Sequence, residues 1–193
     1  MYSSLSSAIA AAEQAGVSLR PADDRALRAG DSVLLYVAAE AQRYWAEGAR
    51  TYVLGAASEA QKRLVAQAEQ ALTMMRANMA LGAGAATIAK MGEMALTDAA
   101  LRASARGYGL GNGIGLDAAE APVFDSRQPV NDRSTLALRV IGHCNGLGVA
   151  LGETVLLGVR SNACFLAQCL EHESFRAGEA HTDFVDRHLD SLN

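Results

Sequence analysis

The residues whose types and spacing could best support binding or catalysis lie in two short segments of the 193-residue chain. His143 and Cys144 are adjacent, which places a base next to a thiol, but neighbouring residues on a strand point to opposite faces. Segment 107–115 (GYGLGNGIG) has a glycine at every second position, yet no placement of the dinucleotide motif G-x-G-x-x-G fits it. The glycines instead predict a strand that lies close to another backbone or to a ligand.

The cysteines do not form a recognisable metal or disulfide pattern. The chain has three of them, Cys144, Cys164 and Cys169, and no C-x-x-C pair that a zinc site would use. An odd number without close pairing is typical of a reducing compartment, so we expect a cytoplasmic protein.

A further set of residues is spread along the chain at characteristic spacings. It comprises Gly30-Asp31, Arg50-Thr51, segment 111–117 (GNGIGLD), segment 120–122 (EAP) and segment 153–156 (ETVL). Together they resemble the pita-bread family, which includes methionine aminopeptidase, aminopeptidase P, prolidase and creatinase. The resemblance covers about residues 21–157. It implies an α+β fold in which the antiparallel hairpins of a curved sheet are covered by helices.

The resemblance also implies positions for metal ligands. Active metalloenzymes of that family hold two metal ions with two Asp, one His and two Glu side chains. The corresponding positions in this chain are Tyr36, Glu47, Asn112, Arg139 and Gly152. A pair of divalent ions needs several anionic oxygens, and one carboxylate remains. We therefore expect no metal and no other cofactor, and a protein that is not a metallopeptidase.

Creatinase works without metal, but its mechanism is not available here either. Its histidine would correspond to Leu19, and segment 16–21 (GVSLRP) contains no histidine. No catalytic residue can be assigned, so we define a candidate pocket instead. Its residues are Tyr36, Glu47, Asn112, Arg139, His143 and Glu153.

Each central residue of this candidate pocket has a functional and a structural interpretation. Glu47 is either a polar anchor inside a pocket or a solvated acid at a strand end. Arg139 lies in an alternating apolar strand, so it either pairs with an acid such as Glu47 or points outward, because burying an isolated charge is costly. Tyr36 either donates a hydrogen bond to a ligand or is a core residue of a buried strand.

The C-terminal segment carries a second resemblance. Residues 154–189, with the patterns GVRSNACFL and FRAGEAHTDF, are similar to the end of biotin carboxylase subunits of acyl-CoA carboxylases. The nucleotide-binding machinery of those subunits has no counterpart here. The sequence thus predicts a compact domain over 1–157 and a helical tail over 158–193.

Periodicity predicts the elements of the first half of the chain. We expect an alanine-rich helix over 3–15, and two strands at Ser32–Ala38 and Arg50–Leu54 whose connection is too long for a two-residue turn. Ser58 and Gln61 form a capping box that begins a long helix, which we expect to stop at the glycines 82 and 84.

The second half is predicted to contain more helices and a hairpin. A helix should cover 85–94, and Asp98 should cap a shorter one. Thr135–Ile141 and Val149–Leu157 should pair as a hairpin around a turn at 143–148. In the tail we expect a helix over 162–172, capped by Ser161, and a short one within 182–192.

Composition limits the partners. The net charge is −4 and no basic stripe is present, which disfavours nucleic acid as a partner. No run approaches the 18 apolar residues of a membrane span, so no membrane partner is expected. Because the chain is shorter than typical family members, we expect a homodimer that covers exposed edges.

Three functions follow from these observations. The first is a pseudoenzyme, a metal-free scaffold that binds a small molecule or a partner chain. The second is a metal-independent hydrolase or lyase acting on a small C–N or carboxylate substrate, in which Arg139 is the electrophile and Glu47 or His143 the base. The third, which depends on the tail alone, is an accessory protein of an acyl-CoA carboxylase.

Overall fold

The structure of the protein is a computed structural model, and it describes residues 4–11, 26–158, 163–179, 181 and 183–188. The chain divides into two compact units, Met1–Gly158 and Val159–Asn193.

The first unit contains one antiparallel sheet with the strand order β1-β2-β3-β7-β6-β4-β5. The strands are β1 (Ser4–Ala11), β2 (Ser32–Ala41), β3 (Tyr44–Val53), β4 (Gly111–Gly113), β5 (Glu120–Val123), β6 (Thr135–Cys144) and β7 (Leu147–Leu156).

The described residues include three helices in the first unit and three short ones in the second. They are α1 (Glu59–Ala77), α2 (Ala85–Ala95), α3 (Ala99–Tyr108), α4 (Ala163–Glu171), α5 (Glu173–Arg176) and α6 (Phe184–His188). Within the described ranges, no helix has the length and apolar character needed to cross a membrane.

The predicted helix over 3–15 is wrong where the structure can test it. Residues 4–11 form β1, which pairs with β2 from Ser4 opposite Glu40 to Ala11 opposite Val33. The high helix propensity of alanine is a weak preference that backbone pairing with a neighbouring strand overrides. Residues 12–15 of the predicted helix lie outside the described residues.

The connection between β2 and β3 is also shorter than predicted. Both strands extend beyond their predicted limits, and only Gln42 and Arg43 separate them, with φ angles of 53° and 70°. Positive φ at both positions is the signature of the tight turn that matches the twist of a hairpin. The expectation of a long connection failed because Ala39–Ala41 and Ala46–Ala49 consist of alanine, glutamate and glycine and lack the β-branched and aromatic residues by which strands are detected.

The hairpin of β6 and β7 was predicted correctly, with boundaries that differ. The strands continue to Cys144 and from Leu147, so the turn narrows to Asn145 and Gly146, again with positive φ angles of 51° and 76°.

The helices largely match their predictions. Ser58 and Gln61 form the predicted capping box at the start of α1, and the side chain of Asp98 accepts hydrogen bonds at the start of α3. Helix α1 ends at Ala77, before the glycines at which we expected it to stop. In the second unit α4 lies within the predicted range, whereas its predicted cap Ser161 lies outside the described residues.

The sheet has two different faces, because side chains alternate between them along each strand. We call one the helix face, where side chains of β6 and β7 such as Leu138, Val140 and Val149 are buried against α1–α3. We call the other the site face. Its buried apolar residues include Leu34, Ala49, Ile141 and Ala150.

The glycine run does place a strand close to other backbone, as predicted. A Cβ atom added at Gly111 would lie 2.5 Å from the carbonyl oxygen of Ala137, and one at Gly113 would lie 2.2 Å from that of Ala121. These distances are shorter than any real contact, so β4 can pack between β5 and β6 only without side chains at both positions.

The sheet has a seam between β3 and β7. These two strands share one ladder pair, Ala49 opposite Gly152, and two threonine hydroxyls extend it. Thr51 Oγ1 donates to Ala150 O at 2.9 Å and accepts from Ala150 N at 2.8 Å. On the other side of the pair, Thr154 Oγ1 donates to the carbonyl of Glu47 and accepts from its N–H, at 2.8 and 2.9 Å.

Replacing either threonine hydroxyl should therefore loosen the seam. Valine has the same shape but would leave one N–H and one C=O of the opposite strand without a partner. We expect Thr51→Val and Thr154→Val each to lower the free energy of unfolding by about 1–3 kcal/mol, as measured by urea denaturation. Serine at the same positions keeps the hydroxyl and is the matched control. Equal losses for valine and serine would show that the methyl group, not the hydrogen bonds, stabilises the seam.

Candidate functional site

Four of the six candidate residues lie together on the site face. Tyr36 is on β2, Glu47 on β3, Asn112 on β4 and Arg139 on β6. The strand register requires this placement, because paired residues of antiparallel strands share a face and their side chains alternate along each strand. The four side chains come from both sides of the seam.

Glu47 is at the centre of a hydrogen-bond network. Its Oε2 accepts from the hydroxyl of Tyr36 at 2.6 Å, and its Oε1 accepts from Nη1 of Arg139 at 2.5 Å. The other terminal nitrogen of Arg139, Nη2, donates to Oδ1 of Asn112 at 2.5 Å. Each carboxylate oxygen of Glu47 therefore has a strong donor, and one of these donors carries a full positive charge.

Burial distinguishes the two interpretations of these residues. The side chain of Glu47 is only 3% exposed and that of Arg139 is 17% exposed. Glu47 is thus a buried anchor and not a solvated acid, and Arg139 pairs with it and does not point outward. A buried carboxylate and guanidinium at this distance each compensate the charge that the other could not bury alone.

The network also fixes the segment after α3. Nε of Arg139 donates to the carbonyl of Gly109 at 3.2 Å. Nδ2 of Asn112 donates to the carbonyls of Gly113 and Ala118, at 2.6 and 3.4 Å. Arg139 and Asn112 therefore tie the glycine-rich strand and the loop that follows it to β6.

The environment of Tyr36 changes its ionisation. Burial, followed by the hydrogen bond to the Glu47 carboxylate, raises the pKa of Tyr36 to about 12. The hydroxyl thus remains a proton donor to Glu47 throughout the physiological pH range. Of the two interpretations of Tyr36, donor to a ligand or residue of a buried strand, the structure shows this internal contact.

The remaining two candidates are not part of the network. Glu153 alternates onto the helix face, where its Oε2 lies 3.4 Å from Nη1 of Arg76 on α1. His143 shares the site face with Arg139 but is four residues further along β6, about 13 Å away at the usual rise of a strand.

His143 and Cys144 do not form a nucleophile pair. The two side chains alternate onto opposite faces, and the Cys144 thiol donates a hydrogen bond to Oδ2 of Asp98 at 3.1 Å. That bond, together with burial and the carboxylate charge, raises the pKa of Cys144, so the reactive thiolate is disfavoured. Asp98 is also the cap of α3, which explains the contact structurally.

Sequence reasoning missed the residues that position this site. Arg50 donates from Nη1 to the carbonyls of Ala49 and Gly152, both at 2.7 Å, and so joins β3 to β7 beside the threonines. The Arg50-Thr51 pair was part of the family-like pattern, but it carried no assigned role. The signal that could have indicated one is a polar pair inside a strand next to the buried Glu47.

Comparison with known proteins places this geometry in a family. The model of metallopeptidase family M24 matches residues 1–158. Among solved structures, the prolidase from Pyrococcus horikoshii OT3 is 20% identical with a TM-score of 0.73, over 78% of this chain and 44% of that one. A search of curated proteins found no significant match.

Two further structures give the same result. The X-Pro aminopeptidase from Thermotoga maritima MSB8 is 19% identical with a TM-score of 0.71, over 78% of this chain and 44% of that one. The Xaa-Pro dipeptidase from Bacillus anthracis is 19% identical with a TM-score of 0.71, over 82% and 48%. The chain spans less than half the length of these proteins. The likeness confirms the predicted pita-bread fold.

The Glu47–Arg139 pair should behave as a coupled buried unit. We expect Glu47→Gln and Arg139→Met each to lower the free energy of unfolding by about 3–5 kcal/mol, because each leaves the other group buried without its partner. The double variant should lose less than the sum, because the stranded charge disappears. Denaturant unfolding of all four proteins measures the coupling.

A surface ion pair provides a matched control for this double-mutant cycle. Glu93 and Arg106 also form an ion pair, but the Arg106 side chain is 66% exposed. The same substitutions there should show a coupling of no more than about 1 kcal/mol. Additive effects at Glu47 and Arg139 would contradict the buried pair.

The raised pKa of Tyr36 predicts a pH dependence of stability. The protonated hydroxyl is favoured more in the folded state, with a pKa of about 12, than in the unfolded state, with an ordinary value near 10. Its contribution is therefore complete below pH 10 and is lost as the pH rises towards 12. Between pH 9 and 12 the free energy of unfolding should fall less steeply with pH for Tyr36→Phe than for the wild type. The exposed Tyr44→Phe is the control, and identical slopes for the wild type and both variants would contradict the assignment.

Proposed function

The chain belongs to metallopeptidase family M24, and we propose that it is a non-peptidase member, a binding or scaffold protein in which an arginine–glutamate pair takes the place of the metal centre. The observation that carries this proposal is that both carboxylate oxygens of Glu47 accept hydrogen bonds from other side chains. Tyr36 donates to one of these oxygens and Arg139 to the other, so a metal ion or a water molecule would have to compete with both donors, and a metal ion also with the positive charge of Arg139.

The residues at the family's metal-ligand positions do not fit a pair of metal ions. They offer one carboxylate, one phenol and one amide, and the guanidinium of Arg139 would repel a dication at the same place. Among the described residues, no group of three His, Cys, Asp or Glu is arranged to hold a metal ion.

The position that corresponds to the family's last glutamate leaves little room for a side chain. A Cβ atom added at Gly152 would lie 3.3 Å from the Cβ and N of Ala49 and from the carbonyl oxygen of Leu138. Gly152 is the residue through which β7 pairs with β3. A glutamate here would require Ala49 and Leu138 to move by a few tenths of an ångström.

The network favours binding over a metal-independent reaction. The alternative hydrolase or lyase needs Glu47 or His143 as a base near Arg139. Both oxygens of Glu47 already accept hydrogen bonds, from Tyr36 and Arg139, and His143 lies about 13 Å along the strand. The small-molecule pocket and the accessory role with an acyl-CoA carboxylase stay predictions.

The proposal predicts that the purified protein has neither the metal nor the activity of its relatives. Elemental analysis should find no stoichiometric manganese, cobalt, zinc or iron, and Xaa-Pro peptides and creatine should not be hydrolysed above a heat-inactivated sample. An active prolidase assayed in parallel is the positive control. A tightly held ion that is lost in Glu47→Ala, or hydrolysis abolished by that change, would overturn the proposal.

A further inference from the structure

A cavity lies on the helix face, away from the Glu47 network. It has a volume of about 540 Å³ and is lined by helix α2, the end of α3 and the strands β4 and β5. Gly111 of β4 lines it and pairs with Leu138, whose side chain is buried on the helix face. We call this space the α2–β5 cavity. Its volume lies within the range of cavities that hold small molecules in proteins.

The buried part of the α2–β5 cavity is apolar. Leu110 and Phe124 are each 3% exposed, and Ala89 of α2 is 6% exposed. The ring of Phe124 lies against Gly111, where an added Cβ atom would come within 3.1 Å of the Cδ2 atom of the ring. An aliphatic or aromatic group that enters the cavity would therefore contact carbon atoms of α2 and of Phe124, and its transfer out of water is favourable.

Two opposite charges line the same cavity. Asp125 is exposed and lies beside the first turn of α2, where the N–H of Ala86 donates to the carbonyl of Ser126 at 2.9 Å. Lys90 is also exposed and follows Ala86 by four residues, which places it about 6 Å further along the helix axis. Among the described residues, neither Asp125 nor Lys90 has a side-chain hydrogen bond or an ion-pair partner. The cavity thus presents one anion and one cation, a short distance apart, beside an apolar surface.

The other charges of the cavity compensate each other. Nε and Nη2 of Arg106 donate to the two carboxylate oxygens of Glu93, at 2.9 and 2.5 Å, and this pair joins α3 to α2. Gly107 follows Arg106 and leaves the cavity open, because a Cβ atom there would meet nothing within 4 Å. Glycine in a helix costs about 1 kcal/mol relative to alanine, and neither a positive φ nor close packing requires it at this position.

We propose that the α2–β5 cavity binds a small zwitterion with an apolar or aromatic side group, the chemistry of a free amino acid. Lys90 pairs with the carboxylate of the ligand, Asp125 pairs with its ammonium group, and the side group packs against Phe124 and Ala89. A ligand with a single charge would leave either Lys90 or Asp125 without a partner, so both ends of the ligand are recognised. Glu47 has no part in this site, so the proposal and the proposed function are tested by separate measurements.

Calorimetric titration with three related compounds tests the zwitterion. Phenylalanine should bind to the full chain. The analogues 3-phenylpropionate, which lacks the ammonium group, and 2-phenylethylamine, which lacks the carboxylate, should each bind about tenfold more weakly or worse, because each loses a hydrogen bond between charged groups. Wild-type protein that does not bind phenylalanine at millimolar concentration, or that binds all three compounds equally, would overturn the proposal.

Substitutions at the two charges test the residues that recognise the ligand. Lys90→Gln and Asp125→Asn should each weaken phenylalanine binding about tenfold or more, because each removes the partner of one charged end. Lys62→Gln, which changes the other lysine of the chain, is the matched control and should bind like the wild type. Wild-type affinity in both Lys90→Gln and Asp125→Asn would overturn the proposal.

Filling the cavity tests its position independently of charge. Gly107→Leu adds a side chain in the open space and should abolish phenylalanine binding, while the free energy of unfolding stays the same or rises, because leucine favours a helix more than glycine does. Ala103→Leu, at an exposed position of the same helix that does not line the cavity, is the matched control and should bind normally. Phenylalanine binding that persists in Gly107→Leu would place the ligand elsewhere and overturn the proposal.

Discussion

A single backbone pair joins the two halves of the sheet, and the rest of the structure depends on how that joint is reinforced. Strands β2 and β3 are paired over ten residues each, as are β6 and β7, whereas β3 and β7 share only Ala49 opposite Gly152. The hydroxyls of Thr51 and Thr154 replace the missing backbone partners on either side. Without such bonds, the strand ends at the seam would present unpaired polar groups, which are costly when shielded from water.

The Glu47–Arg139 pair is a second reinforcement of the same joint. Glu47 comes from β3 on one side of the seam and Arg139 from β6 on the other. By the family resemblance, metal ions would be held by side chains of both halves and would link them. In this chain the Glu47–Arg139 ion pair crosses the seam, and under the proposed function it links the two halves where the relatives would use metal ions. Such a link would explain why Glu47 remains a carboxylate while Arg139 stands at the position that the resemblance assigns to a glutamate ligand.

Local sequence patterns predicted most of the helices and strands, and the family resemblance suggested that Glu47 and Arg139 lie close together. The capping box of Ser58 and the cap of Asp98 are short-range signals, and both were found correctly. Residues 4–11 were misread because pairing with β2 is a long-range effect that the alanine content does not reveal. Glu153 was included in the candidate pocket because it follows Gly152 in the sequence. Its side chain nevertheless emerges on the helix face, because successive residues of a strand point to opposite faces. The seam has no local signal either, since it depends on the meeting of strands about a hundred residues apart.

Under the proposed function, the network at Glu47 keeps the fold of the family without its chemistry. A general base needs a free lone pair and a pKa near the working pH, and a nucleophile needs a base beside it. Both oxygens of Glu47 are engaged, the pKa of Tyr36 is about 12, and Arg139 is held by three acceptors. Strong mutual satisfaction stabilises a buried polar cluster but removes the unpaired groups on which catalysis relies. Among the described residues, the buried side-chain atom that has no hydrogen-bond partner is Oε1 of Glu153, and it lies on the helix face, opposite the Glu47 network.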